Sequence, residues 1–290
     1  MFIDRSPEAA EDRASGFVER LRAVRGFVFD MDGTLVLGDQ RNHGLTPLPG
    51  ALETTRLLHR RGTRFVVFTN GTPRTPQGYA QELRKVGFEL DDAQMLTPAS
   101  SAVELFVRRG YRRVMVLGGE GMTVPMREAG IEVVEPVGKP QADAVFIGWY
   151  REFSIDTLES ACHAVWGGAQ VFSASQSMFF ATAQGKALGT SRPISAMIRD
   201  LTGCRVNIAG KPSQEALRCA ARRLRAAPRD LAVVGDDPSL EMPMARRAGA
   251  LAIAVRSGLG DDEAYAQLPE AQRPHVVLDG VHDLLDLMRS

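Results

Sequence analysis

A repeated alternation constrains this chain more than any other feature. Short apolar runs, too short for helices, are each followed by a segment whose apolar residues recur every three or four positions. Runs at GFVFD (26–30), TRFVVFTN (63–70), RRVMVLG (112–118), ADAVFIG (142–148), AQVFSAS (169–175), RVNIAG (205–210), LAVVGD (231–236), ALAIAV (250–255) and around HVVLD read as strands. Between them, LPGALETTRLLHRRG (48–62) opens on a Pro/Gly signal, places Leu52, Leu57 and Leu58 on one face and stops at Gly62, as a helix does. Further helices are predicted over 75–86, 98–110, 156–166, 193–201, 213–226, 239–248 and the terminal VHDLLDLM, with a short one ending at Gly130. Ahead of the first strand, Phe17, Leu21 and Val24 fall at helical spacing and predict an amphipathic helix lying on the core. Strands alternating with helices imply an α/β fold built on a parallel sheet.

Composition removes several function classes. The chain has 35 basic and 35 acidic residues and a net charge of zero, so its overall balance draws it to neither nucleic acid nor an anionic membrane. Cys162, Cys204 and Cys219 are odd in number and unrelated in spacing, which argues against a disulfide framework and against a zinc site. The N-terminal segment carries acids throughout and lacks the apolar run of a signal peptide, and no window is long enough to span a membrane, so a cytoplasmic protein is expected.

Four constellations sit at the C-terminal ends of predicted parallel strands, where open α/β sheets place their ligands. They are Asp30 with Asp32, Thr69 with Asn70, Lys211, and Asp236 with Asp237. Two close carboxylates can share a hard cation such as Mg²⁺ with a substrate phosphate, and acids from a second strand can complete the shell. A carboxylate is also a competent nucleophile toward phosphorus, and a neighbouring acid can protonate the leaving oxygen and then activate water. The Thr69 hydroxyl, the backbone N–H groups around Asn70 and Gly71, and the Lys211 ammonium suit phosphoryl oxygens. The tripeptide GKP occurs at 138–140 and again at 210–212. Only the second copy follows a strand, opens a long helix and precedes VVGDD, so the phosphate role is assigned to Lys211 rather than Lys139. GGEGMTV (118–124) imitates part of a dinucleotide fingerprint but lacks its third glycine.

Taken in order, FDMDGTL, Thr69–Asn70, Gly210–Lys211 and VVGDD resemble the four motifs of the haloacid dehalogenase (HAD) superfamily, and the flanking segments resemble its NagD-like, class IIA branch. The resemblance implies a Rossmann-like doubly wound core, residues 1–97 and 205–290, with an inserted α/β cap domain, 98–204. It implies Asp30 as nucleophile and metal ligand, Asp32 as acid/base and carbonyl ligand, and Thr69 and Lys211 as phosphate holders. Asp236 becomes a metal ligand, Asp237 beside it in the fourth motif is expected at the metal too, and Mg²⁺ is the cofactor. Met31 is expected to offer its backbone N–H to the phosphate. Dehalogenases of the superfamily lack the second acid of the first motif, so Asp32 favours phosphate.

Departures from the branch fall mostly in the cap. GWYREF stands where an acid is usual after the strand ending at 148, and SQS followed by Met178, Phe179 and Phe180 stands where an Asn-x-Asp is usual. Trp149, Tyr150 and Phe179 can line a more apolar pocket, and Arg151 can meet a second anionic group. They can equally face the cap core or a dimer partner. In the fourth motif Glu241 replaces a shorter Asp and acts on the metal through water or not at all.

The expected function is a Mg²⁺-dependent phosphatase that hydrolyses a small phosphorylated metabolite through an aspartyl-phosphate, with no nucleic-acid or membrane partner. The resemblance adds a homodimer through the cap. Two alternatives stay open: a phosphotransferase or phosphomutase with the same chemistry, and a catalytically silent ligand-binding protein on the same fold.

Overall fold

The computed structural model describes residues 16–39 and 43–289. The part of the predicted N-terminal helix before residue 16 lies outside them, and within them a helix spans 16–22, with Phe17 and Leu21 buried. Among the described residues no helix is long and apolar enough to cross a membrane.

Six parallel strands form the first sheet. From one edge they run Val276–Leu278, Leu251–Val255, Leu231–Gly235, Gly26–Phe29, Arg64–Phe68 and Met95–Leu96. The first strand in sequence is therefore near the middle, in register with both neighbours: Val28 faces Val66 on one side and Val233 on the other. Alternate side chains of that strand enter different cores. Phe27 and Phe29 pack with Phe65, Leu58 and Leu284 on one face, while Val28 packs with Phe68 and Leu217 on the other. Helices cover both faces, which is why these strands are continuously apolar rather than alternating.

A second parallel sheet runs Val206–Ile208, Gln170–Ser173, Ala144–Ile147, Arg113–Leu117 and Glu132–Val134. Pro98–Arg109 and Glu120–Glu128 cover one face of it. Ile155–Trp166 and Ser191–Thr202 cover the other. The boundary expected at 204/205 shifts, because Val206–Ile208 pairs with Gln170–Ser173 and is an edge strand of this second sheet. The chain recrosses at Gly210, where a Cβ would lie 2.3 Å from the Ala174 carbonyl and 2.4 Å from Asn70 Oδ1, so only glycine passes.

Two hairpins escape the periodicity argument. Val36–Leu37 pairs with Thr46–Pro47, and Phe179–Thr182 with Gly185–Leu188. Both are short antiparallel ribbons, and Phe179 and Leu188 are exposed, so neither leaves a clear apolar pattern. The Ala183 N–H at the tip of the second donates to the Gly38 carbonyl beside the first at 2.7 Å, which closes the hairpin over the end of the first sheet.

Candidate active site

The chain leaves the Gly26–Phe29 strand in one direction and returns to its other side at Leu231–Gly235. The crevice between these strands is the switch point at which doubly wound sheets bind ligands. The Asp30 N–H still donates to the Val234 carbonyl at 2.8 Å, so its carboxylate emerges where the rigid ladder stops. Met31 is fully buried in the core, and its carbonyl accepts from Leu35 and Val36 at 2.9 and 3.0 Å, folding the chain back into a turn. Gly33 adopts φ +89°, and a Cβ there would lie 2.4 Å from Asp236 Oδ2. The glycine of the first motif thus makes room for the acid of the fourth.

Lys211 connects them. Its ammonium pairs with Asp30 Oδ1 on one side and lies 2.7 Å from Glu241 Oε1 on the other. Lys211, Asp236 and Glu241 are all at most 2% exposed. Burial opposes the charge on Lys211, but Asp30 and Glu241 outweigh it and raise its pKa, so the ammonium stays protonated. Burial and the neighbouring Asp30 and Glu241 charges push the Asp236 carboxyl well above the usual range. Glu241 is pushed up to about 7, burial outweighing the attraction of Lys211. Thr34 Oγ1 donates to Asp30 Oδ2 at 3.3 Å.

The second motif is tied to both the first and the third. Thr69 Oγ1 donates to Asp32 Oδ2 at 3.1 Å and accepts from the Gly71 N–H at 2.9 Å. The Gly71 amide, expected at the phosphate, is therefore directed at Thr69. Asn70 works as a strap: its Oδ1 accepts from the Lys211 N–H and its Nδ2 donates to the Lys211 carbonyl, both at 2.9 Å. Nδ2 also lies 3.2 Å from Ser175 Oγ on the second sheet. Asp237 is set differently from Asp236: its Oδ1 accepts from Ser239 N–H and Oγ at 2.8 and 2.7 Å, holding the following turn.

The cleft above these groups has a volume of about 780 Å³ including its mouth. Its lining includes Trp149 and Phe179, as expected, together with Phe180 across from the motifs and Leu240 beside Glu241. Tyr150 goes elsewhere. It packs against the core cluster of Leu117, Ile147 and Ile194, and its N–H donates to Thr190 Oγ1 at 3.0 Å. Arg151 does not line the cleft either; its guanidinium lies over the Trp149 ring, 5.7 Å from the centroid. For Tyr150 the packing role replaces the specificity role.

Comparison with known proteins places the chain in a family. A haloacid dehalogenase-like hydrolase family model matches residues 27–132, and a HAD-hydrolase-like model matches 208–284, together more than half of the sequence. The chain belongs to the haloacid dehalogenase-like hydrolases. Mouse chronophin is 25% identical over 287 residues, which cover 94% of this chain and 96% of that protein. NagD from Escherichia coli K-12 superposes with a TM-score of 0.78 at 22% identity, over 89% of this chain and 97% of its own. A glycerol phosphate phosphatase from Mycobacterium tuberculosis, solved in complex with magnesium, gives a TM-score of 0.79 at 24% identity, over 91% and 77%.

In a hydrolase of this superfamily the acids at the switch point invite a test for a metal. Five carboxylates line the cleft, Asp30, Asp32, Asp236, Asp237 and Glu241, against the single ammonium of Lys211. Among the described residues no three His, Cys, Asp or Glu side chains converge into a self-sufficient metal cage. Mg²⁺ needs only one or two carboxylates, completing its shell with water and substrate oxygens. Asp30 and Asp236, both buried at the switch point, are the residues that could hold it, and a cation there would offset the like charges of Asp30 and Glu241 around Asp236. Glu241 is instead the partner of Lys211. Its spacing within GDDPSLE hints at the metal, but one added methylene carries the carboxylate to the lysine.

Proposed function

We propose that the protein is a Mg²⁺-dependent phosphomonoesterase, acting on a small phosphorylated metabolite through an aspartyl-phosphate on Asp30. One observation carries the reading: the Asp30 carboxylate stands at the floor of the cleft, held by Lys211 and Thr34, with a second carboxylate, Asp32, hydrogen-bonded to Thr69 one turn away. Homologues that carry phosphatase names support the ester, and the magnesium-bound neighbour supports the metal.

In the first half-reaction an Asp30 oxygen attacks phosphorus and the bond to the leaving oxygen breaks, with Asp32 delivering its proton to that oxygen. In the second, Asp32 takes a proton from water, whose oxygen attacks phosphorus, and the Asp30–phosphorus bond breaks to release phosphate and restore the carboxylate. Bound Mg²⁺ would offset phosphate charge and orient the reacting oxygens. Lys211, kept charged, turns from Asp30 to the phosphoryl oxygens while Glu241 retains its other side. Asn70 fixes the Lys211 main chain from both N–H and C=O, so the ammonium arrives at a defined place. The residues from about 98 to 209 act as a cap whose closure excludes bulk water.

The test is hydrolysis of an aryl phosphate with Mg²⁺ and with excess chelator, combined with acid quenching during turnover. A phosphorylated enzyme should be trapped in the wild type and absent in Asp30→Asn. Turnover that survives in Asp30→Asn would overturn the reading.

A further inference from the structure

The two walls of the cleft differ in kind. Every charged lining residue belongs to the motif side, where five carboxylates stand against one ammonium. The opposite wall is formed by Trp149, Phe179 and Phe180 with Ser175, Ser177 and Thr190, and its remaining positions are small and uncharged. Two basic side chains that neighbour this wall in sequence are turned out of it. Arg151 is exposed and stacked on Trp149, and Arg192 is exposed and donates to the Gln176 carbonyl at 3.3 Å.

From this wall we infer that the leaving group is an uncharged alcohol with a flat apolar face, and that substrates bearing a second anionic group are rejected. The inference rests on the phosphomonoesterase reading and adds the class of substrate to it. A second phosphate or carboxylate on the substrate would find no cation on the far wall and would face the acid-rich floor, an arrangement of like charges that costs both affinity and rate. Trp149 is anchored at its main chain and covered at its ring: its backbone N–H donates to Thr72 Oγ1 at 2.8 Å, and the Arg151 guanidinium lies over the indole. A preset indole and two phenyl rings favour an aromatic or flat ring in offset or edge contact. Two hydroxyls keep a proton to donate. Ser177 Oγ accepts from Ser175 Oγ at 3.1 Å and Thr190 Oγ1 accepts from the Tyr150 N–H, which leaves each O–H free for a neutral acceptor on the ring.

Three primary-alcohol phosphates of matched intrinsic reactivity test it: benzyl phosphate, 4-carboxybenzyl phosphate and glycerol 3-phosphate. The expected kcat/KM for benzyl phosphate exceeds each of the others about tenfold or more, the scale at which a shaped pocket discriminates. Trp149→Ala should lower kcat/KM for benzyl phosphate by a clearly larger factor than for glycerol 3-phosphate. Phe179→Arg, at a position already 42% exposed, should raise the carboxylated substrate relative to benzyl phosphate by placing a cation in the wall. Equal or faster turnover of 4-carboxybenzyl phosphate by the wild type overturns the inference and leaves the phosphatase reading intact. Failure to hydrolyse any of the three, with or without Mg²⁺, overturns the phosphatase reading itself.

Discussion

Lys211 and Glu241 form an ion pair with 2.7 Å between Nζ and Oε1, and their side chains are only 2% and 1% exposed. A buried pair of this kind adds little net stability compared with an apolar pair, but removing one partner strands the other charge. Glu241→Ala leaves Lys211 with Asp30 alone, so it is expected to lower the unfolding free energy by about 1–3 kcal/mol, less than the loss of a sole partner. Glu241→Gln, which keeps a carbonyl acceptor, should lose less stability yet still lower kcat, because the ammonium is no longer fixed. Urea unfolding of both variants checks this, and a Glu241→Ala curve superposable on wild type would contradict it.

Asp236 predicts opposite signs in the absence and presence of Mg²⁺. Without metal its carboxylate is repelled by Asp30 and Glu241, so Asp236→Asn should be as stable as wild type or more so, its amide oxygen keeping the Leu259 N–H bond of 2.8 Å. With metal at about a hundredfold over its dissociation constant the wild type should gain about 2.7 kcal/mol by mass action, and the variant should gain little. Thermal melts with chelator and with Mg²⁺ measure both. A full Mg²⁺-dependent shift in Asp236→Asn would remove this residue from the metal site.

Gly258 has an ordinary backbone, yet a Cβ there would stand 1.9 Å from Asp236 Oδ2 and 2.5 Å from its Cγ. Gly258→Ala therefore has to move a buried carboxylate rather than a flexible side chain. Overpacking of this sort costs about 1–3 kcal/mol. Activity should fall further than stability does, because the displaced group is a proposed metal ligand, and the Mg²⁺ concentration for half-maximal rate should rise. An unchanged metal requirement in a folded Gly258→Ala protein would count against the prediction.

Gly33 and Gly258, far apart in the chain and both pressed against Asp236, separate what is local in the amino-acid sequence from what only folding creates. The stretch FVFDMDGTL announces a strand ending in two acids, and the order of the four motifs locates the cleft, because strand ends in a parallel sheet converge on one edge whatever the loops do. Relationships across the fold leave weaker marks. Nothing local distinguishes Tyr150, which packs into the second sheet's core, from Trp149, which lines the cleft one residue earlier. The Phe179–Leu188 hairpin has no two-faced pattern because it closes over the site instead of packing in a layer. Glu241 is legible as an acid at a telling spacing, but its partner depends on one methylene of reach. Val206–Ile208 is legible as a strand; its sheet is not, since an edge strand is claimed by whichever neighbour the recrossing chain meets.

His275 makes a pH prediction remote from the catalytic acids. Its Nδ1 accepts from the Ala252 N–H at 2.9 Å, which ties the start of the edge strand Val276–Leu278 to Leu251–Val255, and the Arg246 guanidinium lies beside its Nε2. Burial, with the Arg20 and Arg246 charges, pushes the ring down to about 4 from its ordinary value. The folded protein thus holds His275 neutral, while the unfolded chain binds a proton near pH 6.5. The contribution to stability is fully present above about pH 6.5 and is lost as the pH falls toward 4, because only the unfolded state gains a proton over that range. The ring keeps some contact with water, so the effect should be about 1–2 kcal/mol, less than the full shift implies. His275→Asn retains an acceptor for Ala252 but cannot titrate. Urea unfolding at pH 7.5 and 4.5 should show the wild type losing about 1 kcal/mol more than the variant between the two. Equal losses would mean that His275 is protonated in the folded protein as readily as in the unfolded chain.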